Sequence, residues 1–196
     1  MPNAAEKTQN SSGNARARLL REAAKLFMEH GYERTTMRNI ANATEIKLGS
    51  IAYYFKSKDE ILYEAIRSTI ESGEERALLA VKQANTAKER LRALISIELE
   101  SFINETGAIT IKEWRCLQKK QKVALLKHRK TYEDLWMATL AECHDQGLIR
   151  AKPEIARRVL HGAFAWAETW YSTKGELSLR ELDDEIMKLI TQAESD

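Results

Sequence analysis

The sequence is short of residues that interrupt helices: it has two Pro and eight Gly in 196 positions. Strands joined by tight turns need more of both, so an all-β chain is excluded. Cysteine is nearly absent. Cys116 and Cys143 lie far apart and form no CxxC pair, which excludes a disulfide framework and points to a reducing, cytoplasmic compartment. The four His are scattered; no HExxH, zinc spacing or phosphate-binding glycine loop is present, so no metal or cofactor is expected and catalysis is disfavoured. Adjacent Cys143 and His144 point about 100° apart on a helix and do not readily pair as nucleophile and base. No apolar run approaches the ~20 residues of a membrane span. The opening stretch MPNAAEKTQNSS is polar and reads as a disordered arm over residues 1–13 rather than a signal peptide.

What is present favours helix. Ala, Leu, Glu, Lys and Arg are abundant, and an all-α fold of about nine helices is expected. Net charge is only +2, but it is uneven. Residues 1–58 hold ten Lys and Arg against five Asp and Glu; the rest holds 21 against 24. A basic head on a mildly acidic body suits nucleic acid, although five charges is a small excess. A first helix is expected from Asn14 to Gly31, with Leu20, Ala23, Ala24 and Phe27 on one face. Two short helices follow, one capped by Thr36 and one from Lys47 to Phe55. Met37, Ile40 and Ala41, then Ile46, Ile51 and Phe55, complete a small core. Ser57, Thr86 and Ser178, each with Glu three residues later, are capping boxes that start three more helices. The first of these, over 59–81, links the head to the body. Another short helix is expected around Ile109–Leu117.

Residues 14–58 therefore read as a three-helix unit whose last helix can enter a DNA major groove by its first turn. Lys47, Leu48, Gly49 and Ser50 occupy that turn, with Tyr53 and Tyr54 beyond it. Thr36, Arg38 and Lys58 lie at or near helix N-termini, which favour phosphate. Taken singly, each of these residue types is more often plain surface than contact; the arrangement is what carries the reading.

The segment TTMRNIANATEIKLGSIAYYFKSKDEIL resembles the signature of the TetR family of bacterial transcription regulators. Thr36, Ile40, Ala41, Gly49, Tyr54, Phe55, Lys58 and Leu62 fall in register. The preceding LLREAAKLFMEHGYERTTM resembles that family's first helix and its exit. Four positions depart from the pattern, the first being Thr44 in place of the Ala before the turn. Glu45 stands where the turn glycine is usual, implying either a turn without a left-handed residue or a strained one. Lys47 replaces the usual Ser or Thr cap, and Ala52 a common Tyr. The resemblance implies a helix-turn-helix head, a body over 59–196 that binds effector and dimerises, and a homodimer on a pseudo-palindromic operator.

The body gives its own, weaker signals. Segment 154–171 is apolar on more than one face, with Phe164, Trp166, Trp170 and Tyr171 within eight residues, so it is expected to be buried on both sides. One side suits its own domain and the other a second subunit. The ending HGAFAWAETWYSTKGELSLRELDDEI resembles a TetR-like subset associated with lipid and steroid catabolism and acyl-CoA effectors. That resemblance implies a repressor released by an apolar or acyl-CoA-type ligand. Candidate pocket residues are Phe102, Trp114, Arg115, Trp136, Met137, Leu140, Trp166 and Trp170, although aromatics at helical spacing more often form core. The basic run Lys119–Lys130 either holds ligand phosphates or is a solvated face. The alternatives are an architectural DNA-binding protein without an effector, which would have a solid body, and a small helical enzyme.

Overall fold

The computed structural model describes residues 4–103, 109–110 and 112–192, and among these the chain is all-helical. In order, the helices are α1 (Ala4–His30), α2 (Met37–Thr44), α3 (Leu48–Tyr54), α4 (Lys58–Gln83), α5 (Ala87–Ile103), α6 (Lys119–Asp145), α7 (Pro153–Trp170) and α8 (Leu179–Ile190), with a 3-10 turn at Trp114–Cys116. Of the short helix expected around 109–117, residues 109, 110 and 112 are helical and 114–116 form that turn.

The helix start expected at Asn14 lies earlier: α1 begins at Ala4. Ala4, Ala5, Glu6, Lys7 and Gln9 are good helix formers. Once a helix is propagating, Ser11, Ser12 and Gly13 cost it at most about 1 kcal/mol each. Its other end lies where the glycine places it, with Gly31 at φ 82°.

Two hydrophobic cores are stacked along α4. The head core is built from Leu19, Ala23 and Phe27 of α1, Ile40 of α2, Ile51 and Phe55, and the first two turns of α4. The body core gathers Leu91, Leu94 and Leu99 of α5, Trp136 and Leu140 of α6, and Phe164 of α7. α4 contributes Ile61, Leu62 and Ile66 to the first and Ala77 to the second. With 26 residues and about 1.5 Å of rise each, it is a rod of roughly 39 Å that joins the two. α8 is pinned across α5 by Asp183, whose carboxylate accepts from Ser96 Oγ at 2.8 Å and from Arg92 Nη1 at 3.3 Å.

Capping follows the sequence closely. Ser178 and Glu181 form a reciprocal box, as do Thr86 and Glu89. Ser57 accepts from the Glu60 N–H, but Glu60 reaches back one residue further, to the Lys56 N–H.

The helix-turn-helix turn resolves the alternatives left open at Glu45, which sits at φ 56°, ψ 23°, in the left-handed region. A side chain there crowds its own carbonyl, at a cost of about 1–2 kcal/mol that glycine does not incur. Glu45→Gly is therefore expected to stabilise the protein by about 1 kcal/mol after the larger unfolded-state entropy of glycine is counted, as read from urea denaturation. An unchanged or lower midpoint would show that the turn carries no such strain.

Candidate nucleic-acid interface and body cavity

The head positions α3 by burying one of its faces and leaving the other bare. Ile51 and Phe55 are buried in the head core, while Lys47, Leu48, Gly49, Ser50 and Tyr53 are all exposed, Tyr53 by 82%. A Cβ built on Gly49 meets nothing within 4 Å, so packing inside this chain does not call for a glycine there. Lys47 precedes the helix, exposed and without a side-chain cap bond. Tyr54 is half-buried and meets Tyr53 edge to face at 5.2 Å.

The flanking candidates divide. Arg38 is exposed on α2. Thr36 is the α2 cap: its hydroxyl accepts from the Asn39 N–H at 3.1 Å. Lys58 is turned inward. Its ammonium donates to the carbonyls of Tyr32 at 2.7 Å and Thr35 at 2.9 Å, and lies 4.1 Å from the Tyr32 ring centre. Its charge therefore fastens α4 to the turn after α1. Lys56, which the sequence reading does not single out, is exposed just past α3.

The body holds a half-open cavity of about 100 Å³ between α4, α5, α6 and α7. Ile70 and Phe102 supply apolar wall, and Gly73 keeps the α4 side low. Glu74, Glu98, Arg129, Tyr132 and His161 bring polar groups to it. Glu98 is only 4% exposed, yet it is well satisfied: it accepts from Arg157 Nη1 at 3.0 Å, Tyr132 OH at 3.1 Å and His161 Nδ1 at 2.7 Å. Arg157 also grips Glu133 through Nε and Nη2, both at 2.9 Å, and stacks over the Trp136 ring at 4.7 Å. Arg129 extends the network outward, 3.5 Å from Glu133.

Burial alone would raise the Glu98 pKa. The hydrogen bond from His161 and the Arg157 charge outweigh it and hold the carboxyl below its ordinary value. For a lowered carboxyl, the stabilisation is complete above the ordinary value of 4.5 and is lost as pH falls through the lowered one. Chemical denaturation across pH 3–7 is therefore expected to show a steeper acid loss in the wild type than in Glu98→Gln; equal slopes would remove Glu98 from the acid response.

Of the expected ligand residues, the cavity takes Phe102. Trp136 is fully buried in the body core, one turn beyond Tyr132 on α6. Leu140 is core as well and lines a different groove; Met137 is half-buried. Trp114 packs against the head core, and Arg115 is exposed beside it, with its carbonyl accepting from Lys122 Nζ at 3.2 Å. Trp166 and Trp170 stand outward, 67% and 55% exposed. They extend a bare stripe on α7 that includes Ile155 and Val159, exposed by 53% and 63%. The stripe continues into a groove of about 590 Å³ shared with Leu189 and Ile190 of α8. Of the basic run, Arg129 reaches the cavity, whereas Lys119, Lys120, Lys127 and Lys130 are exposed. Glu98, Tyr132 and His161, which the sequence does not single out, line the cavity, and Arg157 stands behind Glu98.

Comparison with known proteins agrees with this architecture. Residues 19–65 match the model for bacterial regulatory proteins of the tetR family, and residues 84–193 match that for the tetracyclin repressor-like C-terminal domain. The HTH-type transcriptional repressor KstR2 of Rhodococcus jostii is 28% identical over 196 residues, covering 96% of this chain and 95% of its own. Among solved structures, superantigen PfiT is 39% identical with a TM-score of 0.76, covering 92% of this chain and 97% of its own. AibR, solved with isovaleryl coenzyme A and operator DNA, shares the fold at a TM-score of 0.81 and 23% identity, over 90% of this chain and 97% of its own. The two family models together span the three-helix head and the helical body, and the chain belongs to the TetR family as a DNA-binding transcription regulator rather than an enzyme.

Proposed function

We propose that the protein is a homodimeric repressor that releases its operator when an acyl-CoA-type effector enters the α4–α7 cavity. The observation that carries this reading is on α4: Ile66 belongs to the head core and Ile70, one turn later, to the cavity wall. A ligand that pushes on Ile70 or Gly73 pushes on the rod that carries the head. At about 100 Å³ the cavity is below the ~300–1,000 Å³ usual for ligand pockets. An acyl ligand therefore binds a widened state in preference to this one, which is the differential affinity a population shift requires. A hollow body also disfavours an architectural protein without an effector. AibR, solved with an acyl-CoA and DNA together, offers a fold-level parallel.

The bare α7 stripe supports the dimer. A helix with Phe164 and Ala167 buried on one face and Ile155, Val159, Trp166 and Trp170 exposed on the other has a second apolar face to cover. A twin subunit covers it and holds two recognition helices about 34 Å apart, matching successive major grooves of a pseudo-palindromic site. Within the head, Lys47, Gly49, Ser50 and Tyr53 face the bases and adjacent phosphates, with Arg38 and Thr36 beside them.

Gel-shift titration on the DNA flanking the protein's own gene, with and without isovaleryl- and octanoyl-coenzyme A, tests the whole scheme. Binding that a thioester weakens supports it. Absence of DNA binding at low salt removes the operator reading, and binding indifferent to thioesters removes the effector. Trp166→Glu places a charge in the covered stripe and is expected to shift sedimentation from dimer to monomer at ~10 µM, since an unpaired charge in a buried interface costs several kcal/mol. A dimer that survives it would move the interface elsewhere.

A further inference from the structure

Tyr32, in the turn between α1 and α2, is held from two directions. α4 takes most of it. Lys58 Nζ donates to its carbonyl at 2.7 Å and stands over its ring, and Asp59 accepts from its hydroxyl. The body takes the rest. Glu113, 7% exposed, accepts from the Tyr32 N–H through Oε1 at 3.1 Å and from the Cys116 thiol through Oε2 at 3.4 Å. Its neighbours seat it there: Ile109 and Leu117 are buried in the head core, and Trp114 and Cys116 pack against that core. The same stretch also reaches the cavity. Thr110 lines it, and the Glu113 N–H donates to the Ile109 carbonyl at 3.0 Å, which ties 109 to 113 as one helical turn. Both holds on Tyr32 therefore lead back to the cavity wall, one along α4 to Ile70 and Gly73, the other three residues back to Thr110.

Resting on the reading that this cavity takes the effector, we infer that Glu113 is the positioning residue that holds the head in its operator-binding orientation, and that its bond to the Tyr32 N–H is the contact the effector breaks. A ligand that parts α4 from Thr110 pulls the Tyr32 peptide both ways. α4 holds Tyr32 by three contacts and Glu113 by one, so the Glu113 bond gives first and the head moves with α4. The apolar seats of Ile109 and Leu117 do not prevent this. Apolar contacts are non-directional and tolerate a small slide, whereas a hydrogen bond weakens steeply once its angle is lost. Glu113 thus makes one orientation of the head on the body specific. Breaking its bond leaves a peptide N–H and a carboxyl oxygen without their partners in a buried place, which is a cost the operator-binding orientation avoids. The widened state carries that cost, and the ligand that selects this state must offset it.

Amide exchange at Tyr32 reads the contact directly, and isotope labelling of tyrosine alone leaves six amide signals. In the full-length wild type, octanoyl-coenzyme A is expected to speed exchange at Tyr32 by about tenfold and the DNA fragment retained in gel shift to slow it by about as much, the scale of one hydrogen bond to a charged group. Tyr63, inside α4, is expected to stay unchanged. Two variants separate a positioning contact from a brace. Glu113→Gln is isosteric and keeps an acceptor for the Tyr32 N–H, whereas Glu113→Ala removes it. By linkage, Glu113→Ala is expected to lower operator affinity and raise octanoyl-coenzyme A affinity, the two fold-changes multiplying to about ten. Glu113→Gln is expected to stay within about threefold of the wild type in both. The inference is overturned if operator DNA leaves Tyr32 exchange unchanged, a comparison that needs neither a variant nor a thioester, or if Glu113→Ala weakens both ligands or neither. If octanoyl-coenzyme A lowers operator affinity without touching Tyr32 exchange, the effector reading stands and Glu113 is not the contact it breaks. If octanoyl-coenzyme A does not bind the wild type, the effector reading of the cavity falls, and slowed Tyr32 exchange on operator DNA still supports Glu113 as the positioning contact.

Discussion

Arg157→Met is expected to destabilise the protein by about 3–5 kcal/mol, the cost of removing one partner from a buried ion pair. The Arg157 side chain is 7% exposed and that of Glu98 5%, so neither is hydrated. Methionine fills much of the volume but leaves the Glu98 charge with only Tyr132 and His161 as donors. It also removes the bidentate hold on Glu133 and the cation over Trp136. For a chain of this length, the loss corresponds to a fall in melting temperature of roughly 10 °C. The double variant Glu98→Gln, Arg157→Met tests the cause. With the buried charge neutralised, it is expected to recover about 1–2 kcal/mol relative to Arg157→Met alone, a coupling that independent sites do not show. Urea denaturation of the wild type, both single variants and the double variant closes the cycle. An Arg157→Met protein within 1 kcal/mol of wild type, or simple additivity, would mean that solvent reaches the network and that α5, α6 and α7 are held by their apolar contacts alone.

That network was also the least legible part of the sequence. Glu98 sits at helical spacing within Leu91, Leu94, Ile95, Leu99 and Phe102, an acid on an apolar stripe; read one helix at a time, it looks like an interruption. Its partners come from two other helices more than thirty residues away, and periodicity does not say which faces of four helices converge. Arg157 and His161 are one turn apart on α7, a spacing that acquires meaning only once α5 lies against them. The exposure of Trp166 and Trp170 is hidden in the sequence for a related reason. An all-round apolar helix reveals that it has two faces to cover, not which one looks inward, and the bulkier aromatics turned out to be on the outer face. The head was far more readable because its contacts are local. Thr36 caps α2, Gly31 ends α1, and Ile40, Ile51 and Phe55 fill a core spanning a few dozen residues. Lys58 is the exception there. Its place at a helix start reads as a phosphate position, and nothing in the sequence foretells that the turn at Tyr32–Thr35 also offers it carbonyls at hydrogen-bond distance.

Gly49→Glu is expected to separate folding from DNA binding more sharply than any other single change. A Cβ at position 49 meets nothing within 4 Å in this chain, and the residue lies in the first turn of α3 with ordinary helical geometry. Replacing glycine in a helix relieves an entropic cost of about 0.5–1 kcal/mol, and an acid near a helix N-terminus adds a few tenths more, so the melting temperature should hold or rise slightly. On DNA the same change places a bulky anion where α3 must approach base edges and phosphates. The close approach is lost, Lys47 beside it is partly neutralised, and the phosphates repel the new charge. Operator affinity is expected to fall at least about 100-fold, roughly 3 kcal/mol, with acyl-CoA binding to the body unchanged. Gel shift, thermal denaturation and ligand titration on one preparation read all three. A Gly49→Glu protein that folds as well as wild type and still binds the operator within threefold would place the DNA on another face of the head, whereas one that fails to fold would show that Gly49 serves a contact inside the chain.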